Sequence, residues 1–149
     1  MIYIGADHGG YKLKEQLKKF LTKKKLEFLD VGAKSLKVGD DYPDYAKLVA
    51  KKVSDNPLRN IGILICRSGQ GVCIVANKFT HVRAALVWNT KEAEMSRIDD
   101  MSNVLCLPSD YISSKEAEAI VNVWLTTAYS TEARHIRRIR KISSLETNA

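Results

Sequence analysis

A strand that is apolar at every position must be covered on both faces, and Ile61-Gly62-Ile63-Leu64-Ile65 is such a stretch. Strands of this kind belong to parallel sheets flanked by helices. The rest of the chain supplies what that sheet needs. Ile2-Tyr3-Ile4-Gly5-Ala6 reads as a short buried strand, and Leu13, Leu17, Phe20 and Leu21 then follow at helical spacing. Glu27 to Val31 reads as a second strand stopped by Gly32, and Ala33 to Asp41 as a polar loop. Tyr42-Pro43-Asp44 opens a helix with Ala46, Val49, Ala50 and Val53 on one face, broken at Asn56-Pro57. After the central strand a short apolar helix runs to about Asn77. Val82 to Val87 is a fourth strand, and Asn89 or Thr90 caps a helix through Met95. Asn103 to Leu107 is a fifth strand. Ser113 or Ser114 caps a helix carrying Ala117, Ile120, Val121, Trp124, Leu125 and Ala128, and a last basic helix begins near Thr131. Strand and helix alternate from end to end, which predicts an α/β fold with a five-stranded parallel sheet and helices on both faces.

The 149 residues suit one domain, and no repeat, low-complexity tract or linker suggests a second. No apolar run approaches the roughly 18 residues of a membrane helix, so no membrane partner is expected and the cytoplasm is the default location. Three cysteines without a spacing pattern argue against a disulfide framework; Cys73 and Cys106 read as buried thiols. The net charge of +7 fits either a nucleic-acid surface or attraction for a small anion. No basic strand interleaved with aromatics and no zinc module is present, so nucleic acid is not an expected partner. Seven lysines between Lys12 and Lys25 read as one solvated helix face, and the other cationic concentration is the tail Arg134 to Lys141.

In parallel α/β sheets, ligands bind beyond the carboxyl ends of the strands. That rule nominates Asp7-His8-Gly9-Gly10, Cys66-Arg67-Ser68-Gly69-Gln70-Gly71 and Trp88-Asn89. The second segment joins a thiol to small residues whose N–H groups can converge on an anion. Arg67 is a cation able to favour the Cys66 thiolate, making Cys66 a candidate base or nucleophile; the alternative is a buried cysteine in a plain tight turn. Asp7 and His8 offer an acid and an imidazole for proton transfer or hydroxyl binding, or else a helix cap and a surface residue. Arg134 and Arg138 are four apart with His135 between, a pattern able to clamp a phosphate or to form a solvated tail. His8, His81 and His135 have no ligand spacing, so no metal is expected.

Taken together, Ile4-Gly5-Ala6-Asp7-His8-Gly9-Gly10, Asp41-Tyr42-Pro43-Asp44-Tyr45-Ala46, Gly62 to Cys66 with Gly69-Gln70-Gly71, Ala76-Asn77-Lys78 and Ala133-Arg134-His135 resemble the type B ribose-5-phosphate isomerases of the ribose/galactose isomerase family. The resemblance spans nearly the whole chain, in order. It implies a Rossmann-like three-layer αβα sandwich over residues 1–149, with the basic helix 131–147 at a dimer interface. It implies a homodimer, or a tetramer built from it, with sites between subunits and no cofactor. The implied reaction interconverts ribose 5-phosphate and ribulose 5-phosphate through an enediolate. Cys66 matches the family's base, and Ser68, Gly69 and Gly71 its anion-stabilising loop. Asp7, His8 and Tyr42 match sugar-holding residues, and Arg134, His135 and Arg138 the phosphate-binding tail.

Three positions depart from that pattern. Arg67 stands where the family usually has glycine, able to crowd the site or to lower the thiol pKa. In Ser96-Arg97-Ile98-Asp99-Asp100-Met101, Asp99 replaces the histidine assigned to ring opening, and Asp100 follows it in the substrate-binding stretch. A carboxylate of pKa near 4 is a poor acid at neutral pH, which leaves Asp99 or His8 for that role. Asp110 stands where an arginine is usual, with Arg137 or Arg140 as substitutes. These departures keep two alternatives open: isomerisation of a six-carbon sugar phosphate, or sugar-phosphate binding without turnover.

Overall fold

The computed structural model describes residues 1–146. Its elements, in chain order, are β1 (Ile2–Ala6), α1 (Tyr11–Lys23), β2 (Phe28–Asp30), α2 (Tyr42–Asp55), β3 (Ile61–Cys66), α3 (Gln70–Ala76), β4 (Ala84–Leu86), α4 (Thr90–Ile98), β5 (Val104–Pro108), α5 (Ser114–Thr126) and α6 (Ala133–Leu145). All strand pairs are parallel and the order is β2-β1-β3-β5-β4. The apolar run at 61–66 is the middle strand, as its lack of polar residues demands. The chain leaves β1 toward β2 on one side and returns to build β3, β5 and β4 on the other. The β1/β3 boundary is therefore the topological switch point, where a crevice opens at the carboxyl ends of the strands.

Alternation along the strands divides the core in two. Ile63, Ile65, Leu105 and Leu107 face α1 and α5, meeting Leu13, Leu17, Leu21, Ile120, Val121 and Trp124. Leu64, Cys66, Val104 and Cys106 face the other way, onto Ala46, Val49, Ala50 and Val53 of α2 and Val72 and Ala76 of α3. Each fully buried aliphatic side chain stabilises the fold by about 1.5–3 kcal/mol. The result is the three-layer Rossmann-like sandwich, and it puts the Cys66 side chain on the α2/α3 face.

Local signals set the helix ends. Ser113, not Ser114, caps α5 through a full capping box with Glu116, and Asn89 caps α4 by accepting the Glu92 N–H at 2.9 Å. Pro43 sits in the first turn of α2 behind the N-cap Asp41. Some expectations change. β4 is limited to residues 84–86, because it is an edge strand paired only with β5. α4 continues to Ile98, and α6 starts at Ala133; Thr147, the last position expected in that helix, lies outside the described residues. Cys73 is half-buried, while Cys106 is fully buried. The lysine run is not wholly solvated: Lys14 is 0% exposed. Its ammonium bonds the Asp30 carboxylate at 2.7 Å and the Ala33 carbonyl. A buried ammonium needs such partners, and here they tie α1 to the end of β2.

Candidate functional site

The switch-point crevice is built from the ends of β1 and β3. Ala6 pairs with Ile65, so Asp7 and Cys66 leave the sheet side by side. Ser109, just past β5, joins the two ends: its single Oγ–H lies between the Gly9 carbonyl at 2.9 Å and the Cys66 carbonyl at 3.1 Å. The sequence reading did not single out Ser109.

Cys66 is 5% exposed. The loop behind it turns at Gly69, whose φ of 72° is the left-handed region that only glycine enters without strain. A side chain there would also meet Leu86 Cδ1 at 2.4 Å and the backbone of Leu107 and Pro108 at 3.1–3.2 Å. This turn aims the Gly69 N–H at Cys66 Sγ, 3.1 Å away. Burial nevertheless pushes the thiol up from its ordinary value; N–H groups of Val72, Gly69 and Ser68 oppose the shift, and the charge of Asp7 adds to it. The expectation that Arg67 lowers the thiol pKa, or crowds the site, is not met. Its side chain is 71% exposed and its guanidinium lies 4.0 Å from the Asp110 carboxylate, outside the crevice. Only its aliphatic stem approaches the site, against Gly9.

Tyr42, the first residue of α2, covers the loop from the opposite helix: a Cβ on Gly71 would lie 2.6 Å from the Tyr42 ring. Ser68 is half-buried, with its Oγ 3.4 Å from the Gln70 N–H. Asp7 is buried and accepts the Gly10 N–H at 3.0 Å; burial raises its pKa. His8 is partly exposed. Both its backbone N–H and its ring Nδ1 meet Asp40 Oδ1, at 2.9 and 2.6 Å. The structure thus brings Asp7, His8, Tyr42, Cys66, Ser68, Gly69 and Gly71 into one crevice, with Asp40 as a member the sequence reading passed over. A groove of about 390 Å³ opens beside it, lined by Ser68, Gln70, Leu86, Trp88, Pro108 and Tyr111.

The remaining nominated residues lie at the other end of the sheet. Cys66 is level with Pro108, the last residue of β5, while Asp99 and Asp100 precede Val104, the first. At about 3.3 Å per residue, β5 alone separates the two groups by about 13 Å. Asp99 lies 3.3 Å from His135 Nδ1. His135 is buried against the end of α4, with Nδ1 also 3.2 Å from the Ile98 carbonyl. Arg134 and Arg138 are exposed on α6, and Arg134 pairs with Glu132 at 2.7 Å. Arg83 clamps the turn from below, donating to the carbonyls of Asp100 and Met101. One chain therefore holds two separate groups: a thiol crevice and a basic end.

Asp7, His8 and Asp40 bring potential ligand atoms within 4.8 Å of one another. Within this group Asp7 Oδ1 accepts the Gly10 N–H and Asp40 Oδ1 meets His8.

Fold and crevice define the class: an open parallel α/β protein whose thiol, carboxylates and imidazole gather at the switch point around a loop of converging N–H groups. Comparison with known proteins narrows this. Residues 2–142 match the family model described as Ribose/Galactose Isomerase. A probable ribose-5-phosphate isomerase B of Mycoplasma pneumoniae is 43% identical over 97% of this chain and 94% of its own length. The crystal structure of ribose-5-phosphate isomerase B from Mycoplasma genitalium with bound ribulose-5-phosphate superposes with a TM-score of 0.96, at 42% identity, covering 99% of this chain and 97% of that one. The Clostridium thermocellum ribose-5-phosphate isomerase B gives 0.93 at 37% identity, over 99% and 97%. The chain belongs to the Ribose/Galactose Isomerase family.

Proposed function

We propose that this protein interconverts ribose 5-phosphate and ribulose 5-phosphate, with Cys66 as the base. The observation that carries the reading is the Cys66 thiol at the switch point, held under the Gly69 N–H in a loop whose other amides stay close by. In the forward direction the Cys66 thiolate removes the proton from C2 of the open-chain aldose. The electron pair moves into a C1–C2 double bond, and negative charge develops on O1. Loop amides and the Ser68 hydroxyl stabilise that charge. A proton passes from the O2 hydroxyl to O1, and as the O2 charge collapses to the ketone the Cys66 thiol returns its proton to C1. Asp7, His8 and Tyr42 hold the sugar hydroxyls, and His8 or Asp99 delivers the proton that opens the furanose ring.

The phosphate needs cations that the crevice itself does not carry. In this reading a second copy of the chain supplies them, Arg134 and Arg138, with His135 anchoring α6 and Asp99 and Asp100 beside it. The separation of the two groups within one chain supports a homodimer with paired sites. Three free cysteines suit a reducing, cytoplasmic setting, and among the described residues no helix is long and apolar enough to cross a membrane. The reaction needs no cofactor, since one proton moves between adjacent carbons.

Ribose 5-phosphate incubated with the protein is expected to yield ribulose 5-phosphate, with C1 taking up deuterium from heavy water. Full activity in Cys66→Ala would overturn the assignment of the base. A second reading, preference for a six-carbon sugar phosphate, starts from Asp99 and Asp110, which stand where the family usually has histidine and arginine. A panel of sugar phosphates decides between them by kcat/KM.

A further inference from the structure

The loop between β2 and α2 brings a carboxylate against His8. Asp40 lies at its end, with a side chain only 7% exposed. Its Oδ1 accepts from the His8 backbone N–H at 2.9 Å and meets His8 Nδ1 at 2.6 Å. A carboxylate accepts but does not donate, so the ring nitrogen facing it carries a proton. That assignment leaves Nε2 as the nitrogen available to a substrate. The His8 side chain is 27% exposed, so part of the ring remains open on the crevice side of β1.

We infer that Asp40 is the positioning residue of His8: it fixes the ring orientation, keeps Nδ1 protonated, and favours an imidazolium whose Nε2–H is presented to the anionic sugar phosphate. The inference rests on the sugar-phosphate reading above and assigns a residue to it.

Other charged groups face the same place, and they do not carry the effect equally. Asp7 adjoins His8 in sequence, but its Oδ1 is turned to the Gly10 N–H. Arg67 approaches through its stem at Gly9, with its guanidinium out toward Asp110. Tyr45 faces the Asp40 carboxylate from α2, at a range or angle that leaves the buried Asp40 Oδ2 without a hydrogen bond. The hydrogen bond to Asp40 is the largest influence raising the His8 pKa; partial burial opposes it, and the charges of Asp7 and Asp40 add to the rise. Burial works against the Asp40 charge in turn, but the two bonds from His8 and the Tyr45 hydroxyl outweigh it and hold the carboxyl below its ordinary value. Both partners therefore favour the ion pair.

The expected consequence is a protonated His8 at the pH where a neutral imidazole would otherwise predominate. An imidazolium binds a phosphate or hydroxyl oxygen more strongly than a neutral ring does, and it can give a proton to the ring oxygen of a furanose.

The test is a titration of the His8 ring by heteronuclear NMR in the substrate-free protein, for wild type, Asp40→Asn and Asp110→Asn. Asp40→Asn keeps an acceptor oxygen for the backbone N–H and removes the charge. The His8 midpoint is expected to fall in Asp40→Asn and to stay in place in Asp110→Asn, while the alkaline limb of kcat/KM for ribose 5-phosphate moves down with it. An unchanged midpoint in folded Asp40→Asn overturns the inference, and so does an equal fall in Asp110→Asn. If Asp40→Asn does not fold, Asp40→Glu restores the charge on a longer arm. A His8 midpoint still raised above that of an unperturbed histidine then supports the pairing, and a midpoint at the unperturbed value refutes it. A wild-type protein inert toward ribose 5-phosphate would sink the functional reading alone, because the NMR midpoints report on the pair without substrate.

Discussion

Replacing Gly69 by alanine probes the turn on which the crevice depends. Two costs add. An L-residue held in the left-handed region costs about 1–2 kcal/mol, and Gly69 has φ 72°. The new Cβ would also sit 2.4 Å from Leu86 Cδ1, 3.1 Å from the Leu107 carbonyl carbon and 3.2 Å from the Pro108 nitrogen. Leu86 can rotate its end away, but β5 is held between β3 and β4 and cannot. Overpacking of this kind costs about 1–3 kcal/mol, so the expected loss is about 2–5 kcal/mol. A domain of this size has about 5–15 kcal/mol in all, so the variant folds but with a lowered midpoint. Urea unfolding, followed by circular dichroism at constant slope, measures the loss directly. Gly71→Ala is the matched comparison, because Gly71 has no positive φ and the atoms nearest its added Cβ belong to the Tyr42 ring. It should cost less stability while lowering kcat/KM by moving Tyr42. A Gly69→Ala loss below about 0.5 kcal/mol, within the range of ordinary surface changes, would refute the reasoning.

Burial raises the Cys66 thiol, so the rate of its alkylation by iodoacetamide should climb with pH from neutrality, up to tenfold per unit below the thiol's pKa; an alkylation rate that is flat from pH 7 to 9 contradicts this. Because the folded thiol is raised above its unfolded value, its contribution to stability is full below the unfolded pKa and is lost as pH rises through the folded one, which alkaline urea melts of wild type against Cys66→Ala will read. Asp30 behaves in the opposite sense: burial pushes it up, but Lys14, Lys18 and the Gly32 N–H outweigh burial and hold it low, so its contribution is present above the unfolded pKa and is lost as pH falls through the folded one. Asp30→Ala removes the nearer carboxylate from the buried Lys14 ammonium, leaving the Ala33 carbonyl and Glu15 at 3.4 Å, and should cost about 3 kcal/mol by urea unfolding, with loss under 1 kcal/mol refuting the ion pair's role.

Much of the architecture is legible because periodicity and burial are coupled. A run such as 61–65 has one stable environment, the middle of a covered parallel sheet, and the cap at Asn89 and the capping box at Ser113 announce their helices locally. Strand order is not written in that pattern: the insertion of β5 between β3 and β4 depends on packing across the whole sheet. Lys14 illustrates another limit. Nothing in a lysine-rich helix marks which residue faces Asp30 until β2 is in place. In the crevice, the strand-end rule finds Asp7, His8 and Cys66, since it depends only on topology. It does not find Asp40 or Ser109, which reach the site through tertiary hydrogen bonds from a loop without periodicity and from a third strand end. The rise of the Cys66 thiol was likewise hidden, because the side chain of Arg67 turns outward instead of toward its neighbour.

The central claim is that the Cys66 crevice of one chain works with the Arg134 and Arg138 end of another. Mixing inactive Cys66→Ala protein with inactive Arg134→Ala/Arg138→Ala protein, under conditions that exchange subunits, tests it most directly. Random exchange puts about half of the dimers in mixed form, and in each of those one of the two sites draws both halves from unaltered chains. The account predicts that ribose 5-phosphate isomerisation returns to about a quarter of the wild-type rate. Mixed dimers that form, as shown by native mass spectrometry, yet remain inactive would contradict it.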